Sequence, residues 1–185
     1  MKRILLLVAT ALFAVGVHAA EVGGVRLDDK ASVGGTAVVL NGAGVRTKVF
    51  FKIYVGSLYL PAKANSLAKV LEASPRRIQL NILRDLSADQ FVDALVDGMN
   101  GNNTAAELAA VKAQTDQMIA IMKAFGGVKE KDIVTLDLVD GSTVIGLNGT
   151  AKGSIPGDAF NRALTRVWLG DNPAQGDLKQ AMLGG

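Results

Sequence analysis

Apolar and polar positions alternate most clearly between Leu40 and Pro61, in the stretch LNGAGVRTKVFFKIYVGSLYLP. Val49, Phe51, Ile53, Val55 and Tyr59 fall on one side of an extended chain. Arg46, Lys48, Phe50, Lys52, Tyr54, Leu58 and Leu60 fall on the other, so cations and aromatics share a face that a solvated sheet would fill with small polar groups. The pattern predicts one long strand entered through a glycine-rich bend at Gly42 and Gly44. Such a strand is either central with a partly wet second face, or the wall of a cleft. In the cleft reading, apolar surface and fixed positive charge suit an amphipathic acid.

The remaining elements follow from period and punctuation. Val22 to Leu27 reads as a short strand and Asp28-Asp29-Lys30 as the turn after it; Gly34-Gly35 breaks the chain before a β segment at Thr36 to Leu40. Asn65 or Ser66 caps a short helix through Ala73, and Arg76 to Arg84 alternates as a strand with Ile78, Leu80 and Ile82 inward. Ser87 and Gln90 form a capping box for a helix whose apolar stripe is Phe91, Ala94, Leu95 and Met99. After a turn at Gly101-Asn102-Asn103, the longest helix, capped by Thr104 or Asn103, is expected to run to about Phe125, with Leu108, Val111, Thr115, Met118, Ile119, Met122 and Phe125 toward the core. Its methionines read as core filling rather than as a ligand wall. Ile133 to Val139 and Thr143 to Leu147 flank the hairpin signal Asp140-Gly141, and Thr150 to Ile155 adds a third strand. A helix follows from Pro156-Gly157-Asp158 to Leu169, with Phe160, Leu164 and Trp168 inward, and a last helix carries Leu178, Ala181 and Met182. Strands, helices, strands and helices in that order predict an α+β fold, with helices packed on a largely antiparallel sheet.

The first residues are expected to be an address rather than structure. Lys2 and Arg3, the apolar run Ile4 to Val17, and the small residue closing Val17-His18-Ala19 form a signal-peptide pattern. Cleavage after Ala19 leaves residues 20–185, that is 185 minus 19 or 166 residues, expected to be one domain in the periplasm or secreted. No later run is long and apolar enough to cross a bilayer, so no stable membrane insertion is expected after cleavage. Cleavage also removes two of the 20 Lys and Arg residues, leaving 18 against 17 acidic ones. A charge of about +1 calls for no nucleic-acid partner.

The one histidine, His18, lies in that leader, and the chain has no cysteine. The remainder therefore offers no His or Cys metal site, no Ser-His-Asp triad, no thiol nucleophile and no disulfide. Asp89, Asp93 and Asp97 recur every four residues but read as a solvated acidic face rather than a metal site. Gly42-Ala43-Gly44 lacks the third glycine and following helix of a dinucleotide loop, and Gly153-Ser154 has no base histidine to make it a hydrolase elbow. No metal or cofactor is expected.

LNGAGVR at residues 40–46 and KIYVGSLYL at 52–60 resemble the GGAGxR segment and following core strand of the chalcone isomerase fold. LSADQF at 86–91, LVDGSTVIGLNG at 138–149 and TRVWLGDNP at 165–173 resemble its secreted bacterial branch, in order and spacing. The resemblance implies a large antiparallel sheet covered on one face by helices, with a ligand cleft between. Plant-type chalcone isomerases place an arginine, a threonine, a tyrosine and an asparagine around the reacting phenolate and enone. On this chain Arg46 matches the arginine, Tyr54 stands for the threonine, Phe91 for the tyrosine and Gly98 for the asparagine. With three of four positions changed, no catalytic residue is assigned, and Arg46, Tyr54 and Phe91 are the expected ligand-binding residues. The resemblance implies a non-catalytic binder of a fatty acid or similar lipophilic acid. The alternatives are a chalcone-type isomerase (an intramolecular lyase) and a structural or partner-binding protein. Arg46 poses a geometric problem: in one unbroken strand it would lie roughly 26 Å from Tyr54, eight residues on at about 3.3 Å each, so either a bulge intervenes or the two act separately.

Overall fold

A computed structural model describes residues 19–185, so the expected signal peptide lies outside the described residues but for Ala19. The chain opens with a hairpin, β1 (Ala19–Val22) and β2 (Val25–Asp28), joined at Gly23-Gly24, where the sequence pattern suggested one strand. Both glycines have positive φ, the conformation such a tight connection needs. Then come β3 (Lys30–Val33), β4 (Thr36–Lys48), β5 (Phe51–Leu60), β6 (Arg76–Ile82), β7 (Ile133–Val139), β8 (Ser142–Leu147) and β9 (Thr150–Pro156). These seven form an antiparallel sheet in chain order, each strand paired with its sequence neighbours.

The expected single strand from Leu40 to Pro61 is instead the hairpin β4–β5, with Val49-Phe50 as its two-residue turn between Lys48 and Phe51. Neither residue is a turn former, and Val49 holds φ at +58°, which a β-branched residue rarely adopts. The glycine-rich bend is likewise absent, because Gly42 and Gly44 lie inside β4. The local irregularity is a bulge at Asn41, opposite Leu40/Tyr59 and Gly42/Leu58. Its buried amide donates to the Ala64 and Met182 carbonyls at 2.8 and 2.7 Å and accepts from the Ala64 amide, tying the loop after β5 to the chain's last helix.

Helices cover one face. They are α1 (Leu67–Glu72), α2 (Ala88–Asn102), α3 (Ala105–Ala110), α4 (Lys112–Ala124), α5 (Asp158–Leu169) and α6 (Gly176–Met182). The capping boxes at Ser87/Gln90 and Thr104/Glu107 are both formed. The helix expected from Thr104 to Phe125 breaks at Val111, whose φ of −111° and ψ of 15° lie off the helical region. α2 runs through the expected Gly101–Asn103 turn as far as Asn102. α6 lies on β4 and β5, α5 on β8, α4 on β9, and α2 packs against α5 and α4.

Two cores follow from the two sheet faces. Leu58, Leu60, Ile78, Leu80, Val134, Leu136 and Ile145 meet Leu95, Met99, Phe160, Leu164 and Trp168 under the helices. On the opposite face Val33, Val38, Leu40, Val55 and Tyr59 are covered by Leu27 and the β1–β2 hairpin. Arg76, at the start of β6, is buried and donates to the Leu71 and Ala73 carbonyls ending α1 and to Asn161 of α5. Burial lowers its pKa to about 10, so it stays charged at neutral pH.

Candidate functional site

The hairpin removes the 26 Å problem. Arg46 and Tyr54 are directly opposite in the β4–β5 register, which puts their Cβ atoms about 5 Å apart on the same face. One step toward the turn, Thr47 pairs with Lys52, so Ile53 is bulged out of the ladder. Ile53 and Tyr54 therefore both reach the helix side, which strict alternation would forbid.

Between this face and the helices lies a cavity of about 640 Å³. It is lined by Arg46, Tyr54 and Phe91, the three expected binding residues, and by Gly98, the fourth position of the family pattern. Its deep wall is apolar, formed by Leu80, Leu95, Met118, Met122, Val134 and Ile145. Met118 and Met122 are thus the wall of a cavity as well as buried core, where their spacing indicated core alone. The polar groups are Arg46, Lys48, Arg84, Asp85, Gln90, Asp97 and Asn172. Phe91 is half-buried, although its α2 neighbours Val92 and Leu95 are fully packed.

Tyr54 is buried, and its hydroxyl oxygen accepts a 3.0 Å hydrogen bond from the Trp168 indole N–H on α5. Burial raises its pKa, against smaller lowering influences from Trp168 and the Arg46 charge. The phenol is therefore protonated at neutral pH. With its oxygen occupied by Trp168, its own O–H is left to donate. Arg46 is half-exposed and enters no ion pair or side-chain hydrogen bond among the described residues. In particular, neither Asp28 nor Asp29 holds it. The strand here is braced by Gln175, the residue before α6, which accepts from the Thr47 amide at 2.8 Å.

The glycines serve packing rather than ligand approach. A Cβ on Gly42 would lie 2.0 Å from the Ala181 carbonyl oxygen, and one on Gly44 would lie 2.9 Å from the Ala181 Cβ, so both seat α6 on the sheet. A Cβ on Gly98 would lie 2.6 Å from Cγ1 of Val167, which lets α2 and α5 approach closely beside the cavity. An asparagine at this position would collide with α5. No signal in the sequence announced the Trp168–Tyr54 bond, which joins residues 114 positions apart, whereas a bulge between Arg46 and Tyr54 is one of the two outcomes their spacing leaves open, and it falls at Ile53. Among the described residues no group of His, Cys, Asp and Glu could hold a metal ion.

A curled antiparallel sheet with one helical layer, and between them an apolar cavity whose wall carries a phenol and a guanidinium unpaired among the described residues, define an α+β class. The chain belongs to the chalcone isomerase-like family, whose model matches residues 19–184. Comparison with curated proteins finds no match. Among solved structures, the crystal structure of an Arabidopsis thaliana fatty-acid binding protein is similar at a TM-score of 0.67 and 14% identity, covering 86% of this chain and 92% of that one. At that identity the likeness concerns the fold.

Proposed function

We propose that this protein is a non-catalytic binder of a fatty acid or similar lipophilic acid, acting in the periplasm or after secretion. The acyl chain occupies the apolar wall formed by Leu80, Leu95, Met118, Met122 and Ile145, and the carboxylate meets Arg46 and Tyr54. The observation that carries the reading is the pairing of an apolar cavity with two unused donors on neighbouring strands: an unpartnered guanidinium and a phenol O–H whose oxygen already accepts from Trp168. A buried neutral donor beside a fixed cation favours a carboxylate over a neutral head group. The likeness of the fold to a fatty-acid binding protein supports the same class of ligand.

Chalcone cyclisation is less well supported. Phe91 has no hydroxyl, and Gly98 supplies no amide and is closed by Val167. Each lost donor to a developing charge costs on the order of 10²-fold or more in rate. Cyclisation of a chalcone by the protein is therefore expected to stay near the uncatalysed rate.

The test is calorimetric titration with a medium-chain fatty acid. Arg46→Met keeps most of the stem and deletes the charge, so affinity should fall by about 1.5 to 3 kcal/mol, the range for a charged hydrogen bond, with little change in stability. Unchanged affinity in this variant would remove Arg46 from the site. No binding by the parent protein would overturn the proposal.

A further inference from the structure

The tip of the β4–β5 hairpin is built unlike a turn that rests in water. Val49, Phe50 and Phe51 are 77%, 91% and 58% exposed, and they are the large hydrophobics left exposed among the described residues. A two-residue hairpin turn in solvent is normally made of Gly, Asn or Asp, which accept positive φ and stay hydrated. Here a valine takes φ of +58° and its neighbour is a phenylalanine. Among the described residues nothing covers either side chain, so there the strain and the exposure are uncompensated in water. The tip also projects beyond the sheet. β3 pairs with β4 only from Thr36 to Val39, and β6 pairs with β5 only as far as Tyr54, with one further bond from the Leu83 amide to the Ile53 carbonyl at 2.9 Å.

Around this apolar tip the charge is one-sided. Lys48 and Lys52 flank it as exposed residues, and the Arg84 guanidinium stacks on Phe51 at 4.2 Å from the ring centre. Arg46 lies two residues before Lys48 on β4, opposite Tyr54. Asp85, next to Arg84 in sequence, is engaged with Lys129 and the Glu130 amide, while Asp97 lies on the α2 side of the cavity. Lys48, Val49, Phe51 and Arg84 are also cavity-lining residues, so tip and cavity mouth are one surface.

We infer that the β4–β5 hairpin tip is a membrane-docking element that seats Val49, Phe50 and Phe51 in the interface of an anionic phospholipid bilayer, with Lys48, Lys52 and Arg84 on the headgroups. Aromatic and aliphatic side chains at the headgroup boundary gain burial, and each nearby cation contributes to attraction by an anionic surface. Docking in this pose turns the cavity mouth toward the lipid, so an acyl chain passes between bilayer and cavity without crossing water. The docking stands on the hairpin tip and the Arg84 stacked on it; the transfer role rests on the binder reading above. The docking is peripheral and reversible, as three apolar side chains do not span a bilayer.

The test is co-sedimentation with vesicles of equal parts phosphatidylglycerol and phosphatidylcholine, against vesicles of phosphatidylcholine alone. Every variant carries the same N-terminus as the parent, so residues 1–18 contribute equally to all arms. Phe50 and Lys52 do not line the cavity, which makes Phe50→Ser and Lys52→Gln clean perturbations. The parent should bind the anionic vesicles, more weakly as salt is added. Phe50→Ser should lower partitioning about tenfold, as expected for returning most of a Phe side chain to water. Lys52→Gln should lower it about fivefold at low salt. Dodecanoate affinity measured in solution should be the same in all three proteins. Equal binding of parent and Phe50→Ser, or equal binding to both vesicle types, overturns the docking. So does a parent that ignores vesicles and instead self-associates in sedimentation velocity, with Phe50→Ser monomeric, because a second copy then covers the tip. Vesicle binding without dodecanoate binding leaves the docking intact and removes the binder reading; dodecanoate binding without vesicle binding does the reverse.

Discussion

Gly98 sits in the middle of α2, where glycine is the poorest ordinary choice, and replacing it with alanine sets two effects of known size against each other. Helix propensity alone should stabilise Gly98→Ala by about 1 kcal/mol. The added Cβ, however, would sit 2.6 Å from Cγ1 of Val167 and 3.4 Å from its Cβ and Cγ2. Valine in a helix has essentially one χ1 rotamer, and Val167 is packed inside α5, so it cannot swing aside. Relieving that contact must move α2 away from α5, an overpacking cost of about 1 to 3 kcal/mol. The cost wins, and the expected net change is a loss of about 1 kcal/mol. Val167→Ala, though destabilising itself, removes the obstructing methyls. In that background Gly98→Ala should change sign and stabilise by about 1 kcal/mol, a coupling of about 2 kcal/mol between the sites. Urea melts of the four proteins at one pH, compared by midpoint with a common slope, measure this. Gly98→Ala stabilising by about 1 kcal/mol in both backgrounds would refute the reasoning, since glycine would then not be required by the α2–α5 contact. Gly98→Asn should be worse than alanine, so the asparagine of the isomerase pattern cannot simply be restored.

Trp168→Ala should destabilise by roughly 3 to 5 kcal/mol, because it empties a buried ring site and strips Tyr54 of its partner; a loss below about 1 kcal/mol in denaturant melts would contradict this packing. Tyr54 has its pKa raised by burial, so the folded state holds its proton more tightly than the unfolded state. Its contribution is fully present below pH 10.0 and is lost as pH climbs above it, so alkaline melts should show a loss that Tyr54→Phe lessens. Glu107 is held down to about 2 from the usual 4.5, first by the Thr104 backbone amide and then by the Thr104 hydroxyl and Arg166. Its contribution is present above pH 4.5 and fades as pH falls toward 2, so acid titration of Glu107→Gln should lack that component.

Much of the architecture is written locally. Asp140-Gly141 marks its hairpin because Gly141 accepts positive φ, whereas Gly34-Gly35 reads only as a break and the strand Lys30–Val33 before it is not legible locally. Ser87 with Gln90 and Thr104 with Glu107 start helices because a cap involves only four consecutive residues. The inward face of α5, with Phe160, Leu164 and Trp168, follows from helical period alone, and its buried Asn161 and Thr165 are what period cannot anticipate. Family motifs carried the helix-covered antiparallel sheet and the four pattern positions further than period did. What the tertiary structure decided was where the chain turns without a turn residue. Val49-Phe50 continues the alternation of its neighbours, so local propensity reads a strand through it, and only pairing of β4 with β5 reveals the hairpin. That one turn brings Arg46 opposite Tyr54 and creates the site. The glycines at 42, 44 and 98 were visible as residues, but their purpose was not, because the atoms they make room for belong to Ala181 and Val167, far along the chain. Period, capping and turn chemistry act within a few residues, whereas a cavity is the space that distant elements leave between them.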